Sequence, residues 1–284
     1  MSRRRAIEGT RVHGLVTDSV RTAAHGARLP RRLLVEPGRY SVSGRRFVFD
    51  EPGAYRFEGP RGLVAQRLIP GRALEALLSD VSWIMGYGTT EEPLPRRRRL
   101  RLARSRRISL ECSWLSIEVA GILASSGFPA RVVVAFTRDE VNDEDNGHTL
   151  VEIRDADRWV LYDPSFRTFF RRHGHRLSLP AWCSAVVDGD YEIEPTTGGL
   201  PALGSFTTSS APLRRRMERL VASEKARRRW YEHIAGVPLV GDGMHFFFAS
   251  DDPLAERLIA YSPFYRPIAP AEFRALWDRT TAPS

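Results

Sequence analysis

Apolar and polar positions recur along this chain with two different periods, and the change of period marks its parts. From Arg31 the pattern is short and strand-like. The runs RRLLVE, RYSVS, RRFVFD and AYRFEG are separated by Pro37-Gly38, Pro52-Gly53 and Pro60. Alternating runs of this length, punctuated by Pro and Gly, predict a small antiparallel β unit. After Pro70-Gly71 the spacing becomes helical: Leu74, Leu77, Leu78, Val81, Ile84 and Met85 share one face, and Gly86 closes it. A second helical run opens at Cys112, with Trp114, Leu115, Ile117, Val119, Ile122 and Leu123 recurring before Gly127. Residues 131–137 (RVVVAFT) are β-branched and apolar, which predicts an interior strand. Residues 148–154 and 158–163 follow as a hairpin around Asp155-Ala156-Asp157.

Beyond the hairpin, residues 195–212 predict a long loop that either covers a site or links lobes. Residues 213–235 predict one basic helix with Leu213, Met217, Leu220, Val221 and Ile234 as its apolar stripe. A strand over 244–249 and helices over 252–260 and 270–277 complete the chain. This divides it into a basic tail with a β-rich part (1–70), a core (71–194), and a loop with a helical C-terminal part (195–284). Residues 1–30 fit either a mobile tail or an edge strand with a turn.

The core carries the chemistry. Cys112 falls in the first turn of its helix, where unpaired N–H groups and the positive end of the dipole favour a thiolate. His148 and Asp163 sit on the two arms of the hairpin. A two-residue loop at Asp155-Ala156 sets them directly opposite, with Cβ atoms roughly 4.5–5.5 Å apart. A three-residue loop shifts the register by one and makes the pair diagonal. A nucleophile at a helix start, a base on a strand and a carboxylate orienting the base form a triad.

The order Cys112, His148, Asp163 resembles the transglutaminase-like superfamily. The resemblance covers about residues 74–166. It rests on Cys112 and its helix, Gly127-Phe128-Pro129-Ala130-Arg131, His148 with Glu152, and Trp159-Val160-Leu161-Tyr162-Asp163-Pro164. It implies an α+β fold with a papain-like, transglutaminase-type core, in which the nucleophile helix packs on an antiparallel sheet. A β-rich N-terminal part and a helical C-terminal part flank that core. It also implies acyl transfer through a Cys112 thioester, with His148 as base and then acid and Asp163 orienting the imidazole. The acceptor, water or an amine, stays open. The Cys112 N–H is one expected oxyanion donor, and Trp83 and Tyr87 are upstream positions for a second. The family often has Gly two residues before the cysteine, whereas Leu110 and Glu111 stand here. An adjacent carboxylate opposes a thiolate unless Glu111 faces solvent or pairs with an arginine.

Charge adds a partner class. The chain has 284 residues and a formal net charge of +9. Lys225 is the sole lysine, so an arginine bias this complete reflects coding composition as well as recognition. Eight arginines lie in residues 96–107, shortly before Cys112, and the run 213–235 nets +5. Both suit an acidic acyl-carrier protein or acidic peptide as acyl donor, and both are equally the composition of solvated faces. Two other readings share these features: a silent binding module of the same fold, and a nucleic-acid binder. Few aromatics interleave with the arginines, which argues against nucleic acid. Five acids lie within 139–145, but a calcium loop started at Asn142 puts Ile153 where its closing Glu belongs. His173, His175 and Cys183 are too few and too loosely spaced for zinc. No cofactor fingerprint is present. Two cysteines and no secretory or membrane-spanning run are expected of a cytoplasmic protein, with Cys183 a buried structural thiol.

Overall fold

The computed structural model describes residues 34–35, 38–42, 45–49, 53–57, 65–68, 74–75, 77–78, 81, 85–103, 108–141, 146–196, 211–242 and 244–278. The basic segment 1–33, Trp83, the second part of the arginine run (104–107), the acidic residues 142–145 and the loop 197–210 lie outside them.

The chain divides into two units, Met1–Ile84 with Arg96–Ile108, and Met85–Pro95 with Ser109–Ser284. In the first, the alternating runs become strands. Strand β1 (Leu34–Val35) pairs with β4 (Gly53–Phe57), which pairs with β5 (Ala65–Leu68), while β2 (Gly38–Val42) and β3 (Arg45–Phe49) form a hairpin. Helical backbone follows at 74, 75, 77, 78 and 81, with Leu77, Leu78 and Val81 buried. The expected helix does not run on to Gly86, because Met85–Tyr87 is a strand, β6. Glycine is a poor interior helix residue, and here the segment pairs with β7 (Ile108–Leu110), the strand that leads into Cys112. Helix α1 (Arg96–Ala103) takes the first part of the arginine run, with Arg96, Arg97 and Arg98 exposed and Arg99 buried.

The second unit is built on a nine-stranded sheet. Its strands are β8 (Ala130–Phe136), β9 (Gly147–Asp155), β10 (Arg158–Asp163), β11 (Thr168–Arg172), β12 (His175–Arg176), β13 (Glu192–Pro195), β14 (Val237–Gly241), β15 (Phe246–Ala249) and β16 (Tyr265–Ile268). They run in the order β12-β11-β10-β9-β8-β14-β15-β16, with β13 added on β11. All pairings are antiparallel except β15 with β16. The helices are α2 (Cys112–Ser125), α3 (Leu179–Val187), α4 (Ala211–Ala222), α5 (Glu224–Ile234), α6 (Ala255–Tyr261) and α7 (Pro270–Asp278).

Two expectations for the C-terminal third are corrected. It is not a helical addition alone, since β14, β15 and β16 extend the central sheet beyond β8. The single basic helix is two, broken at Ser223, whose hydroxyl accepts a hydrogen bond from the Ala226 N–H at 3.2 Å. Serine in extended backbone caps a new helix more readily than it continues an old one.

The hairpin register also differs. Arg158 pairs with Asp155 and Trp159 with Arg154, so Ala156-Asp157 is the loop, with Ala156 at φ 55°. The ladder ends with Tyr162 opposite Val151, which sets Leu150 at the level of Asp163. His148 lies two residues along on the same face, a diagonal neighbour. Diagonal positions lie about 7–8 Å apart, within reach of a long side chain.

Strand β9 is buried from His148 to Ile153 because both of its faces are covered. Helix α2 packs on β8 and β9. Val133, Ala135, Leu150 and Leu161 pack with Phe170, Trp182 and Tyr231 in the main core. Arg131 is locked into this layer. It donates to Glu152 Oε2 at 2.9 and 2.7 Å and to the Leu276 carbonyl at 2.6 Å, with its guanidinium over the Trp159 ring at 4.2 Å. Glu152 Oε1 in turn accepts from the Leu179 N–H at 2.6 Å, which fixes the start of α3 on the sheet.

Helix α2 ends in a left-handed turn. The Gly127 N–H bonds to the Ala124 carbonyl at 3.1 Å and the Phe128 N–H to the Leu123 carbonyl at 3.0 Å, with Gly127 at φ +89°. That pairing releases the chain into β8. A methyl group there meets nothing within 4 Å, so the cost of Gly127→Ala is conformational alone. We expect a loss of about 1 kcal/mol in urea unfolding, with thiol chemistry unchanged. A loss below about 0.3 kcal/mol would show that the turn relaxes to negative φ.

Candidate active site

Cys112 is the first helical residue of α2, as its sequence setting predicts, and is half-buried. Its helix is held against β9 by Ser116, whose buried hydroxyl donates to the Thr149 carbonyl at 2.9 Å. That contact places the start of α2 beside the residue before Thr149, which is His148.

His148 and Asp163 are both buried and joined, His148 Nε2 to Asp163 Oδ2 at 3.0 Å. The Cys112 sulfur acts on the same imidazole and favours its protonated form; with Nε2 turned to Asp163, Nδ1 is the nitrogen left to face it. The diagonal register is therefore compatible with the expected pairing. Burial alone would lower the His148 pKa. The Asp163 carboxylate and the Cys112 sulfur overcome it and raise the value to about 10. Burial would likewise raise Asp163, but the His148 charge, the hydrogen bonds from His148 and Tyr231 and the Ser165 N–H hold its carboxyl below the usual range.

Asp163 is saturated with donors. Oδ1 accepts from the Ser165 N–H at 2.7 Å and the Phe166 N–H at 3.4 Å. Oδ2 accepts from the Tyr231 hydroxyl at 2.7 Å as well as from His148. Trp230, the neighbour of Tyr231 on α5, meets the His148 ring edge-on at 4.8 Å. Phe166 closes the same aromatic cluster, 5.4 Å from Trp230. Trp230 and Tyr231 are the residues that the sequence reading missed. Their signal was available, since both lie three to four residues before Ile234 on the apolar stripe of α5.

Glu111 is the N-cap of α2, and its carboxylate accepts from the Ser113 hydroxyl two residues on. Tyr87, at the end of β6, meets His148 edge-on at 6.5 Å. Burial first, then the charges of Cys112, Asp163 and Glu111, push its phenol well above the ordinary value. Cys183 is buried in α3, and its thiol is pushed by burial to about 12. Among the described residues, no three His, Cys, Asp or Glu side chains gather into a metal site, and no helix is long and apolar enough to cross a membrane.

A mixed α+β unit thus brings together a thiol at a helix start, an imidazole and a buried carboxylate. Residues 81–164 match the family model described as the transglutaminase-like superfamily. The match takes in Cys112, His148 and Asp163 and ends one residue after the last of them. Tyr231 and Trp230 lie outside it. Neither the curated proteins nor the solved structures contain a match to this chain.

Proposed function

We propose that this protein is a transglutaminase-like thiol enzyme that transfers acyl groups through a Cys112 thioester. The observation that carries the reading is the chain of contacts from the Cys112 thiol through His148 to Asp163. With the His148 pKa at about 10, the imidazole keeps its proton at neutral pH. The resting site is then a sulfur beside an imidazolium, braced by a carboxylate. Cys112 Sγ attacks the acyl carbonyl, the C=O electron pair moves onto oxygen, and collapse expels the leaving group with the His148 proton. Deacylation runs the same steps with water or an amine, which His148 deprotonates. The Cys112 N–H has no acceptor within its own helix and serves the developing oxyanion.

The acyl donor is read as a peptide or a carrier-bound acyl group. Arg214, Arg215 and Arg219 are exposed on α4 and favour an acidic acyl-carrier protein or peptide. If so, acylation by an acidic donor slows as salt rises, screening being effective beyond about 8 Å at physiological ionic strength.

The test is selective alkylation followed by trapping. At pH 7 iodoacetamide should label Cys112 at least about a hundredfold faster than Cys183, whose thiol is buried and pushed to about 12. With p-nitrophenyl acetate, wild type should release a burst of p-nitrophenolate and carry an acetyl group on Cys112. Adding a primary amine then separates amide formation from hydrolysis. Equal labelling of the two thiols, or a burst that survives Cys112→Ala, would sink the reading and leave a binding module of the same fold.

A further inference from the structure

The site described above has one oxyanion donor, the Cys112 N–H, and a tetrahedral intermediate is ordinarily held by two. We propose that the Tyr87 hydroxyl is the second donor, a catalytic residue that bonds the acyl oxygen while Cys112 is acylated. This assignment rests on the acyl-transfer reading and adds a residue to it.

The argument begins with the backbone. The Gly88 N–H bonds to the Leu110 carbonyl at 2.9 Å, so the end of β6 is clamped to the residue two before Cys112. Tyr87 is thereby carried to the mouth of α2, where the Cys112 N–H emerges. Its ring stands edge-on to His148, with centroids 6.5 Å apart and planes at 74°. It thus flanks the imidazole as Trp230 does. Among the charges that raise the Tyr87 phenol, that of Cys112 acts more strongly than those of Asp163 or Glu111. The hydroxyl is therefore in the field of the sulfur itself.

Chemistry selects the role. A phenol held protonated by burial cannot act as a base at neutral pH, but it is a strong hydrogen-bond donor to an oxygen that gains charge. In the acylation step Cys112 Sγ bonds to the carbonyl carbon and the C=O pair moves onto oxygen, where the Tyr87 O–H and the Cys112 N–H meet it. The pair returns as the leaving group departs, and the phenol keeps its proton throughout. Tyr265 also feels the Cys112 charge, behind burial and Tyr261, and is the competing phenol.

The experiment compares two reactions of the same thiol in the full chain. Alkylation by iodoacetamide is a displacement and forms no oxyanion, whereas acylation by p-nitrophenyl acetate does. Tyr87→Phe should slow acylation about a hundredfold through kcat, with KM little changed, and leave Cys112 alkylation within about threefold. Tyr265→Phe should slow neither by more than about threefold. Tyr87→3-fluorotyrosine keeps the size of the ring and strengthens the donor, so acylation should rise about two- to threefold; this arm stands even if the Phe variant folds poorly. The assignment is overturned if Tyr87→Phe acylates at the wild-type rate, or if alkylation falls as far as acylation. It is also overturned if Tyr265→Phe carries the loss, or if the fluorinated residue slows the reaction. A wild type with no Cys112-dependent burst overturns the acyl-transfer reading itself, and this assignment with it; a normal burst with an inert Tyr87→Phe overturns the assignment alone.

Discussion

Asp163→Asn should lower the rate of Cys112 acylation by about 10⁴-fold, the order seen when the orienting carboxylate of a serine-protease triad is changed in the same way. The size of the effect follows from what surrounds the carboxylate. Oδ1 faces two donors, the Ser165 and Phe166 N–H groups. Oδ2 faces two more, the Tyr231 hydroxyl and His148 Nε2. An asparagine has one acceptor oxygen to divide between two sites that both demand one. If the amide oxygen takes the backbone side, the NH₂ group faces His148 and forces Nε2 to be the acceptor. The ring proton then moves to Nδ1, the nitrogen facing sulfur, and His148 can no longer take the thiol proton. If the amide turns over, two backbone N–H groups in a buried turn lose their acceptor, at about 1–3 kcal/mol each. Both arrangements are poor, and the first disables the base. The measurement is the burst rate with p-nitrophenyl acetate, with folding checked by urea midpoint. A variant that acylates within tenfold of wild type would mean that Asp163 does not set the tautomer, and that the aromatic cluster around Trp230 alone orients the ring.

How much of this site the sequence disclosed depends on whether the contact was local. Cys112 could be placed because its helix announces itself by period and by the Gly127 stop, both short-range signals. Even there the buried face was misjudged: Trp114 and Ile117 are exposed, while Ser116 and Glu118 are buried. Hydrophobicity alone cannot show that Ser116 is satisfied by the Thr149 carbonyl. The hairpin was legible as two strands, but Asp155-Ala156-Asp157 contains no glycine to mark the turn. A two-residue loop at Asp155-Ala156 and a three-residue loop are the expected alternatives, and the structure takes instead the two-residue loop Ala156-Asp157, with Ala156 at positive φ. His148 and Asp163 meet all the same, because both registers leave them on one face. The arginines of helix α5 mask its contacts with His148 and Asp163 in the sequence. Arg227 lies 5.7 Å from the Phe166 ring and Arg228 4.5 Å from Tyr191, so part of the basic stretch packs inward beside Trp230 and Tyr231. Strands β14 and β16 went unseen because their partners are remote. β14 joins β8 across about a hundred residues, and no local pattern encodes that pairing.

With the sulfur removed by Cys112→Ala, the stability of the folded chain should fall as pH rises from 6.5, and Asp163→Asn should reverse the sign of that dependence. His148 has a folded pKa of about 10 against an ordinary value of 6.5. A group whose folded pKa is raised contributes stability that is fully present below its unfolded pKa and is lost as pH rises through the folded one. Above 6.5 the unfolded chain releases the His148 proton while the folded chain retains it. The contribution therefore shrinks by about 1.4 kcal/mol per pH unit, or about 3 kcal/mol between 6.5 and 8.5. Asp163 acts at the other end. Its folded pKa is depressed, so its contribution is present above about 3.9 and is lost as pH falls through the folded value. The pair is thus most stabilising between those limits. In Asp163→Asn the carboxylate is gone and burial governs the imidazole, which lowers its pKa. Unfolding then takes up a proton below 6.5, and stability should rise with pH through that region. Cys112→Ala removes the sulfur contribution, which shortens the range of the fall, and keeps the imidazole proton from being exchanged with the thiol on unfolding. Urea unfolding from pH 5.5 to 8.5 distinguishes the three chains; that window stays below the buried phenols, and the Cys183 thiol adds to the fall only at its upper end. In wild type a flat curve fits a thiolate–imidazolium pair, whose unfolding returns to sulfur the proton that the imidazole releases. A Cys112→Ala curve that stays flat or rises from 6.5 to 8.5 would show that His148 is neutral in the folded protein. Cys112 would then have to surrender its proton during the attack, with no imidazolium formed beforehand.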